Sequence, residues 1–468
     1  LRNIQLHRLG GRELGMSTIT NIPYVIDPGS ISARVPDPGW ASNLFAGPYE
    51  INGKVYAIQK DGATPNSPRI YSSPDGITWT LIETLIIGIV SYASTWFWDP
   101  LGPSPSVITF TLKSSAAPST DTYYLQDYDC STETLGSPYG VTGGPKSTTT
   151  GPGLRINRLS DGDVNLFIVK SDTLYYSHYD LGSDTWTAVD TSIFVNTGTA
   201  FSLRLLCCCT DRTVDGSAFI YEYEIGGFKQ FKYRYLSSAL VLAAAQSMSV
   251  LFPVAAGTSF NRMYQGGDDN IYVSELTYNE GNTASTGVGI WTISGADLSA
   301  PTLTETQIYN FDPGGIVGYN TVFSFANEAA SQPCVLVTLQ DPTLLPFFAQ
   351  NVYVYRFTFD GASWSSPELL VDLVAYPPTT PPPRSTFAPY YYIEGLSWIE
   401  SAPSAGDVGL LLALDIESAF GPNAVTAFAM VSVTSTVDCQ IVVSPIDLAS
   451  TCPLKTQIPV GIPYYAEI

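Results

Sequence analysis

Short runs in which apolar and polar positions alternate recur from one end of the 468-residue chain to the other, each bounded by Gly, Asp, Asn, Pro or Ser. A period of two puts successive side chains on opposite faces of an extended segment, so each run predicts a β-strand and not a helix. The runs fall into sets. One set contains Ile70 to Trp79 (IYSSPDGITW), Tyr123 to Cys130 (YYLQDYDC), Leu174 to Thr187 (LYYSHYDLGSDTWT), Phe228 to Leu236 (FKQFKYRYL), Ile271 to Gly281 (IYVSELTYNEG) and Val352 to Ser365 (VYVYRFTFDGASWS). Most members follow a second run: Lys54 to Lys60, Ser106 to Lys113, Val164 to Lys170, Ser217 to Ile225 and Cys334 to Gln340. A third run precedes some of those, as in GLRINRL (Gly153 to Leu159), FSLRLL (Phe201 to Leu206) and TVFSFA (Thr321 to Ala326). The links are short enough for hairpins, so the repeating unit reads as an antiparallel meander.

Counted on their third strands, and with Ala424 to Val433 added, the units number seven. Repeats of about fifty residues that form small meanders are the sequence sign of a β-propeller. The expected fold is therefore all-β: a single β-propeller of four-stranded antiparallel blades, seven-bladed, with six or eight blades left open by the poor phase of the fifth and seventh units. A two-sheet sandwich also shows short alternating strands, but it does not explain a recurring strand, Asp-Gly turn and Trp at blade-like spacing. Residues 1–40 form an N-terminal arm whose strand-forming stretch, Ile19 to Ile26, is expected to complete the last blade. Residues 41–455 form the propeller and 456–468 a C-terminal tail. Closing a ring matters because it removes exposed strand edges.

The turn inside the first of these runs carries more than strand logic. Asp75-Gly76 supplies it, since Gly accepts positive φ and Asp bonds its own backbone. Ser73, Asp75, Gly76, Thr78 and Trp79 resemble the Asp-box, the S-x-D-x-G-x-T-W signature of sialidase-like β-propellers, shortened by one residue between Asp and Gly. The D-G-x-x-W spacing returns at Asp360, Gly361 and Trp364. In that family the box is a structural turn at the rim of a blade. The resemblance thus implies a fold and carries no catalytic residue across.

Composition narrows the function. Charged residues are only 13% of the chain, while Tyr (29), Pro (34) and Gly (39) are abundant, as suits many turns and a Ser, Thr, Asn and Tyr surface. A formal net charge of -21 repels nucleic acid and anionic membrane. The most apolar stretches, Thr80 to Trp98 and Leu236 to Ala256, are interrupted by polar residues or Pro253, so no membrane insertion is expected. Seven cysteines without a C-x-x-C pair and only two histidines leave no expected metal or cofactor. Cys439 and Cys452 fit either a bridge or two buried thiols. The first fifteen residues contain no apolar signal core; Arg2, Arg8 and Arg12 would suit an arm lying on an acidic neighbour, or an incidental leader.

Candidate chemistry centres on arginine. A sialidase-like enzyme needs three arginines on a carboxylate, a Tyr nucleophile activated by Glu, and an Asp acid; Arg forks match carboxylates bidentately. Arg155, Arg158, Arg204 and Arg262 fall on or near first strands of consecutive units, which line a propeller's central channel. The plainer reading is that they neutralise neighbouring acids. In Tyr221-Glu222-Tyr223-Glu224 alternation separates tyrosines from glutamates, as packing and solvent faces of a second strand. Asp161-Gly162-Asp163 and Gly266 to Asn270 read as turns before calcium sites, and His178 as a structural histidine. Trp96, Trp98, Trp398 and Tyr390 to Tyr392 are candidate sugar platforms, with core packing their plainer role. Two long connections, Tyr139 to Gly153 and Tyr376 to Pro389, are candidate docking arms or ordinary interblade loops.

Three function classes follow. The preferred one is a non-catalytic propeller, a structural or interaction module of an extracellular or virion assembly such as a phage tail, meeting other subunits through the N-terminal arm and long loops and binding host glycans or receptors. A sialidase-like glycoside hydrolase and a scaffold without ligand are the alternatives.

Overall fold

β-Branched and aromatic residues fill the alternating runs and hold them extended, because branched side chains pack well on a pleated surface. The computed structural model describes residues 18–19, 24–25, 45–60, 68–74, 80–85, 95–99, 102–113, 122–146, 153–197, 203–225, 228–248, 252–253, 258–278, 285–310, 323–326, 334–340, 351–358, 365, 368–372, 390–399, 408–417 and 425–433. Two short strands come first, β1 (Thr18–Ile19) and β2 (Tyr24–Val25). The first sheet contains β3 (Phe45–Ile51), β4 (Lys54–Lys60), β5 (Pro68–Ser73) and β6 (Thr80–Thr84). The second contains β7 (Thr95–Phe97), β8 (Val107–Lys113), β9 (Tyr123–Asp129) and β10 (Thr134–Leu135). The third contains β11 (Leu154–Arg158), β12 (Val164–Lys170), β13 (Thr173–Asp180) and β14 (Thr185–Val195). The fourth contains β15 (Arg204–Asp211), β16 (Gly216–Ile225), β17 (Phe228–Leu236), β18 (Gln246–Ser247) and β19 (Phe252–Pro253).

Next come β20 (Thr258–Gln265), β21 (Ile271–Tyr278), β22 (Ser285–Ser294) and β23 (Thr302–Asn310) in the fifth sheet. The sixth holds β24 (Phe323–Ala326), β25 (Cys334–Gln340), β26 (Asn351–Thr358) and β27 (Glu368–Asp372). The seventh joins β28 (Tyr390–Ile399), β29 (Val408–Glu417) and β30 (Val425–Val433) to β1 and β2, which both pair antiparallel with β30. The protein is all-β among the described residues, built of antiparallel meanders of four main strands. One strand departs from the sequence expectation. Ile271 to Tyr278 is the second strand of its sheet, and the third is Ser285–Ser294. Gly287 and Gly289 had hidden it, because glycine contributes nothing to an alternating pattern.

Sheets pack face to face, and strand periodicity decides which neighbour each residue meets. In β12, Leu166 and Ile168 join Tyr123 and Leu125 of the second sheet, while Phe167 and Val169 join Phe219 and Tyr221 of the fourth. In β16, Ala218 and Ile220 turn the other way, onto Ile271, Val273 and Trp291 of the fifth. Tyr56 and Ile70 of the first sheet meet Ile108, Phe110 and Tyr128 of the second. Such strands are buried on both faces, which is why VNLFIVK reads as almost continuously apolar. First strands of neighbouring sheets also touch: β7 with β11, β11 with β15, β15 with β20, β20 with β24, β24 with β28, and β28 with β3.

In a meander the first-to-second and third-to-fourth connections leave from one end of the sheet, here called the turn end; the other is the far end. At the turn end one guanidinium spans three sheets. Arg212, just after β15, donates from Nη1 to both carboxylate oxygens of Asp99, at 3.3 Å each. Its Nη2 donates to the carbonyls of Gln265 (2.5 Å) and Gly266 (3.1 Å). Asp99 follows β7 and Gln265 ends β20, so the clasp ties the second, fourth and fifth sheets and passes over the third.

The ion pair is mostly enclosed, with side chains 18% and 15% exposed. Removing one partner of a fully buried pair costs about 3–5 kcal/mol. Arg212→Ala should therefore lower stability by about 2 kcal/mol or more in urea titration, and Arg212→Lys should fall between it and the parent because an ammonium cannot fork. A loss within about 0.5 kcal/mol for the alanine variant would mean the clasp does not hold these sheets.

Candidate functional site

The sequence placed four arginines on first strands, and their partners now separate them. Residues 155 and 157 face the fourth sheet: Asn157 donates to Ser217 Oγ at 2.8 Å. Arg158 points the opposite way, where Nη1 meets Asp127 at 2.6 Å and Thr109 at 3.1 Å. Arg204 opens β15 and sets Nε 3.3 Å from Glu222 Oε1. Arg262 lies in β20.

Arg155 differs from Arg158 and Arg204. It donates from Nε to the carbonyl of Leu206 (3.1 Å) and from Nη1 to that of Leu154 (3.0 Å). Among the described residues it pairs with no carboxylate. Its surroundings push its pKa down, through burial first and against the nearby thiols of Cys208 and Cys207. A guanidinium held by carbonyl dipoles keeps its full charge and has N–H groups to spare. β11 and β15 run side by side here, with Cys208 Sγ on Ile156 O and Thr210 Oγ1 on Arg158 O. Arg155 and Arg204 consequently stand at the far ends of adjacent first strands.

Aromatic and acidic groups complete that end. Tyr221 and Tyr223 alternate away from Glu222, as expected, and Phe194 of β14 lies 5.2 Å and 4.8 Å from their rings. Glu222 does not take the solvent face that alternation had suggested. It is 3% exposed, on the face that packs against the fifth sheet, with Arg204 beside it. Burial pushes its pKa up, opposed by Lys229 and Arg204. Burial also pushes the Tyr221 hydroxyl up to about 12, opposed by Arg234, and Cys208 up to about 12, opposed by Arg155. These groups are a phenol and a thiol at neutral pH, not nucleophilic anions. What remains available is a cation for an anion and ring faces for an apolar or sugar surface.

The turn end uses its acids on itself. Asp161 Oδ1 accepts the Asp163 N–H, and Asp163 Oδ1 accepts that of Leu181. Asp163 Oδ2 faces His178 Nε2 at 3.2 Å, while His178 Nδ1 meets Asn165 Oδ1 at 2.8 Å. Asn165 and Asn157 both donate to Ser217 Oγ, so a buried polar chain crosses from the third sheet into the fourth. Sequence reading had marked His178 but neither asparagine; their place in an alternating strand was the available signal. Asp268 accepts from Asn270 and Tyr272. Among the described residues no three His, Cys, Asp or Glu side chains converge to hold a metal.

Ser73 ends β5 and is buried, whereas Asp75, Gly76, Trp79, Asp360, Gly361 and Trp364 lie outside the described residues, as do Cys439 and Cys452. The related turn after β13 is described. Asp180 Oδ1 accepts the Ser183 N–H, and Trp186 Nε1 donates to Gly140 O at 2.8 Å. Gly140 has φ +63, and a Cβ there would come 2.9 Å from the indole nitrogen. The Trp packs between sheets and offers no platform. Of the two long connections, Tyr139 and Lys146 bridge to Leu125 and Thr122. Residues 147–152 and 376–389 are outside the described set.

No family model matches the chain, and no curated protein does. Solved structures similar to it include a prolyl endopeptidase, at 10% identity over 83% of this chain and 50% of that one, TM-score 0.40. The chain spans half the length of that endopeptidase. The α-L-arabinofuranosidase Arb93A of Fusarium graminearum matches at 8% identity over 88% of this chain and 98% of that one, TM-score 0.41. NanB sialidase of Streptococcus pneumoniae matches at 10% identity over 69% and 68%, TM-score 0.37.

Glu222 offers a test of this geometry. Its raised folded pKa means that its contribution to stability is fully present below the unfolded value, about 4.3, and is lost as pH rises through the folded one. In Tm measurements from pH 4 to 7, the parent should lose stability relative to Glu222→Gln as pH increases. Parallel curves for the two proteins would show that the carboxyl is not held in this environment.

Proposed function

We propose that the sheets are the seven blades of one closed β-propeller, that it is non-catalytic, and that it serves as an interaction module of an extracellular or virion-surface assembly, binding an acidic glycan at its far end. Pairing of β1 with β30 and contact of β28 with β3 support closure, since they bring the two ends of the repeat together. A chain poor in charged residues and rich in Tyr suits a module that meets other subunits through its N-terminal arm and long loops.

The observation that carries the ligand is Arg155, a cation whose described partners are carbonyls only, at the far end where Arg204 opens the neighbouring first strand and Phe194 packs on Tyr223. A carboxylate or sulfate on a sugar supplies the missing counter-charge, and the rings supply an apolar face. Glu222 favours a second reading, glycoside hydrolysis, because burial pushes its pKa up, the direction an acid that protonates a leaving group needs.

A glycan array with acidic and neutral members separates these readings, together with a fluorogenic sialoside. Binding confined to acidic glycans is expected, weakened about 10- to 100-fold in Arg155→Gln, as loss of a charge-assisted bond implies. Release of fluorophore that disappears in Arg204→Ala would replace binding with hydrolysis. An array without any hit would leave only a scaffold.

A further inference from the structure

Three cations, Arg155, Lys232 and Arg234, face the seam between the third and fourth sheets, and among the described residues none of them pairs with a carboxylate. Register places the two that come from β17. Residues directly opposite in an antiparallel pair share a face, so Lys232 points with Tyr221 and Arg234 with Phe219. Both rings belong to the core that joins these two sheets. Arg234 crosses the seam, donating from Nη1 to Ile193 O of β14 at 2.6 Å and from Nε to Ala243 O at 2.9 Å. It also donates to the Tyr221 hydroxyl. Lys232 Nζ donates to Ser247 Oγ at 2.6 Å.

The chain carries 42 acidic residues against 21 basic ones, so three cations without an acid are not its average arrangement. The acids of the same strands are turned or spent elsewhere. Glu222 and Glu224 alternate onto the opposite face, where Arg204 lies by the first and Lys229 is opposite the second. Asp190 of β14 is held by Lys170. Between the cations runs β16, whose Tyr221 and Tyr223 rings stack 6.3 Å apart, with Phe194 against both. Tyr223 and Lys232 are half-buried, so this strip reaches solvent. Arg155 reaches β15 on one flank of it, and Lys232 and Arg234 leave β17 on the other. Two strand spacings separate those flanks, roughly 10 Å, which is wider than one sugar ring.

We infer that the ligand is an acidic polysaccharide and not a single terminal sugar: one anionic group meets Arg155, a second on the same chain meets Lys232 and Arg234, and the sugar between them lies over Tyr223 and Phe194. The inference rests on the reading of Arg155 as a glycan site and names the ligand's class. Guanidinium and ammonium groups supply charge-assisted bonds, and ring faces take the apolar face of a sugar. Cations two strands apart match a polymer charged on alternate residues. A nucleic-acid strand carries a phosphate on every residue, and the net charge of -21 opposes so dense an anion. Joining two anionic groups in one chain makes the second contact intramolecular, so affinity grows with chain length.

Titration calorimetry with hyaluronan and chondroitin sulfate di-, tetra- and hexasaccharides tests this, the two series separating carboxylate from sulfate as the preferred anion. In the preferred series the parent should bind the hexasaccharide about tenfold or more tighter than the disaccharide. Lys232→Gln, whose one described partner is a serine hydroxyl, should keep the parental Tm and cut hexasaccharide affinity about tenfold more than disaccharide affinity. Arg155→Gln should weaken every length by a similar factor. A parent that binds disaccharide and hexasaccharide equally, or a Lys232→Gln loss that is the same at both lengths, would overturn this inference and leave the Arg155 site standing. Absence of binding at every length would overturn both. An oligothymidylate bound as tightly as the hexasaccharide would overturn the choice of a sugar chain.

Discussion

Burial of both faces of the same sheet is the constraint from which the rest of this structure follows. A meander of four strands with one solvated face could stand on a single partner layer. Here β12 divides its side chains between two cores, Leu166 and Ile168 on one side, Phe167 and Val169 on the other, so the third sheet needs a neighbour on each side. The same demand passes to the fourth sheet through Phe219 and Ile220. A chain under this demand gains nothing from stopping at two sheets, and its economy in charged residues follows. Face-to-face packing alone leaves the sheets free to shear. Arg212 resists that, since its guanidinium fixes the ends of β7, β15 and β20 relative to one another by direction as well as distance.

Strands were legible in the sequence wherever both cores took large residues. VNLFIVK, SAFIYEYEI and FKQFKYRYL became β12, β16 and β17 almost to the residue. The fifth sheet was misphased because a buried acid shaped its third strand. Glu275 is 1% exposed and accepts the Trp291 N–H at 2.7 Å, and a Cβ on Gly289 would sit 3.3 Å from its Oε2. The glycine makes room for a carboxylate on another strand, and a local pattern has no access to that reason. Arg212 was invisible for a similar cause: Asp99 lies 113 residues away in sequence.

The candidate site was legible as a residue type and not as a set. Sequence alternation marked cations on first strands, but sign and strand position do not say which acid lies opposite. Asp127 and Glu222 come from strands outside the arginines' own, and they are what separates Arg158 and Arg204 from Arg155. The odd member is the one whose partners are carbonyls. Carbonyl dipoles orient a guanidinium without cancelling its charge, so among the described residues Arg155 holds a charge that no carboxylate offsets.

The division of labour between the two ends has a physical origin. Connections at the turn end are tight, and tight turns are closed by carboxylates that accept backbone N–H groups, as Asp161, Asp180 and Asp268 do. Acids committed to turns lose their freedom. That end is consequently negative, rigid and poorly suited to enclosing an anionic ligand. The far end carries the starts of first strands, where Arg155 and Arg204 stand and where Phe194 packs on Tyr223. Polarity along the strand direction is thus a by-product of how meanders turn: aspartates that cap the turns gather at one end, and the arginines found there, Arg158 and Arg212, are held by Asp127 and Asp99.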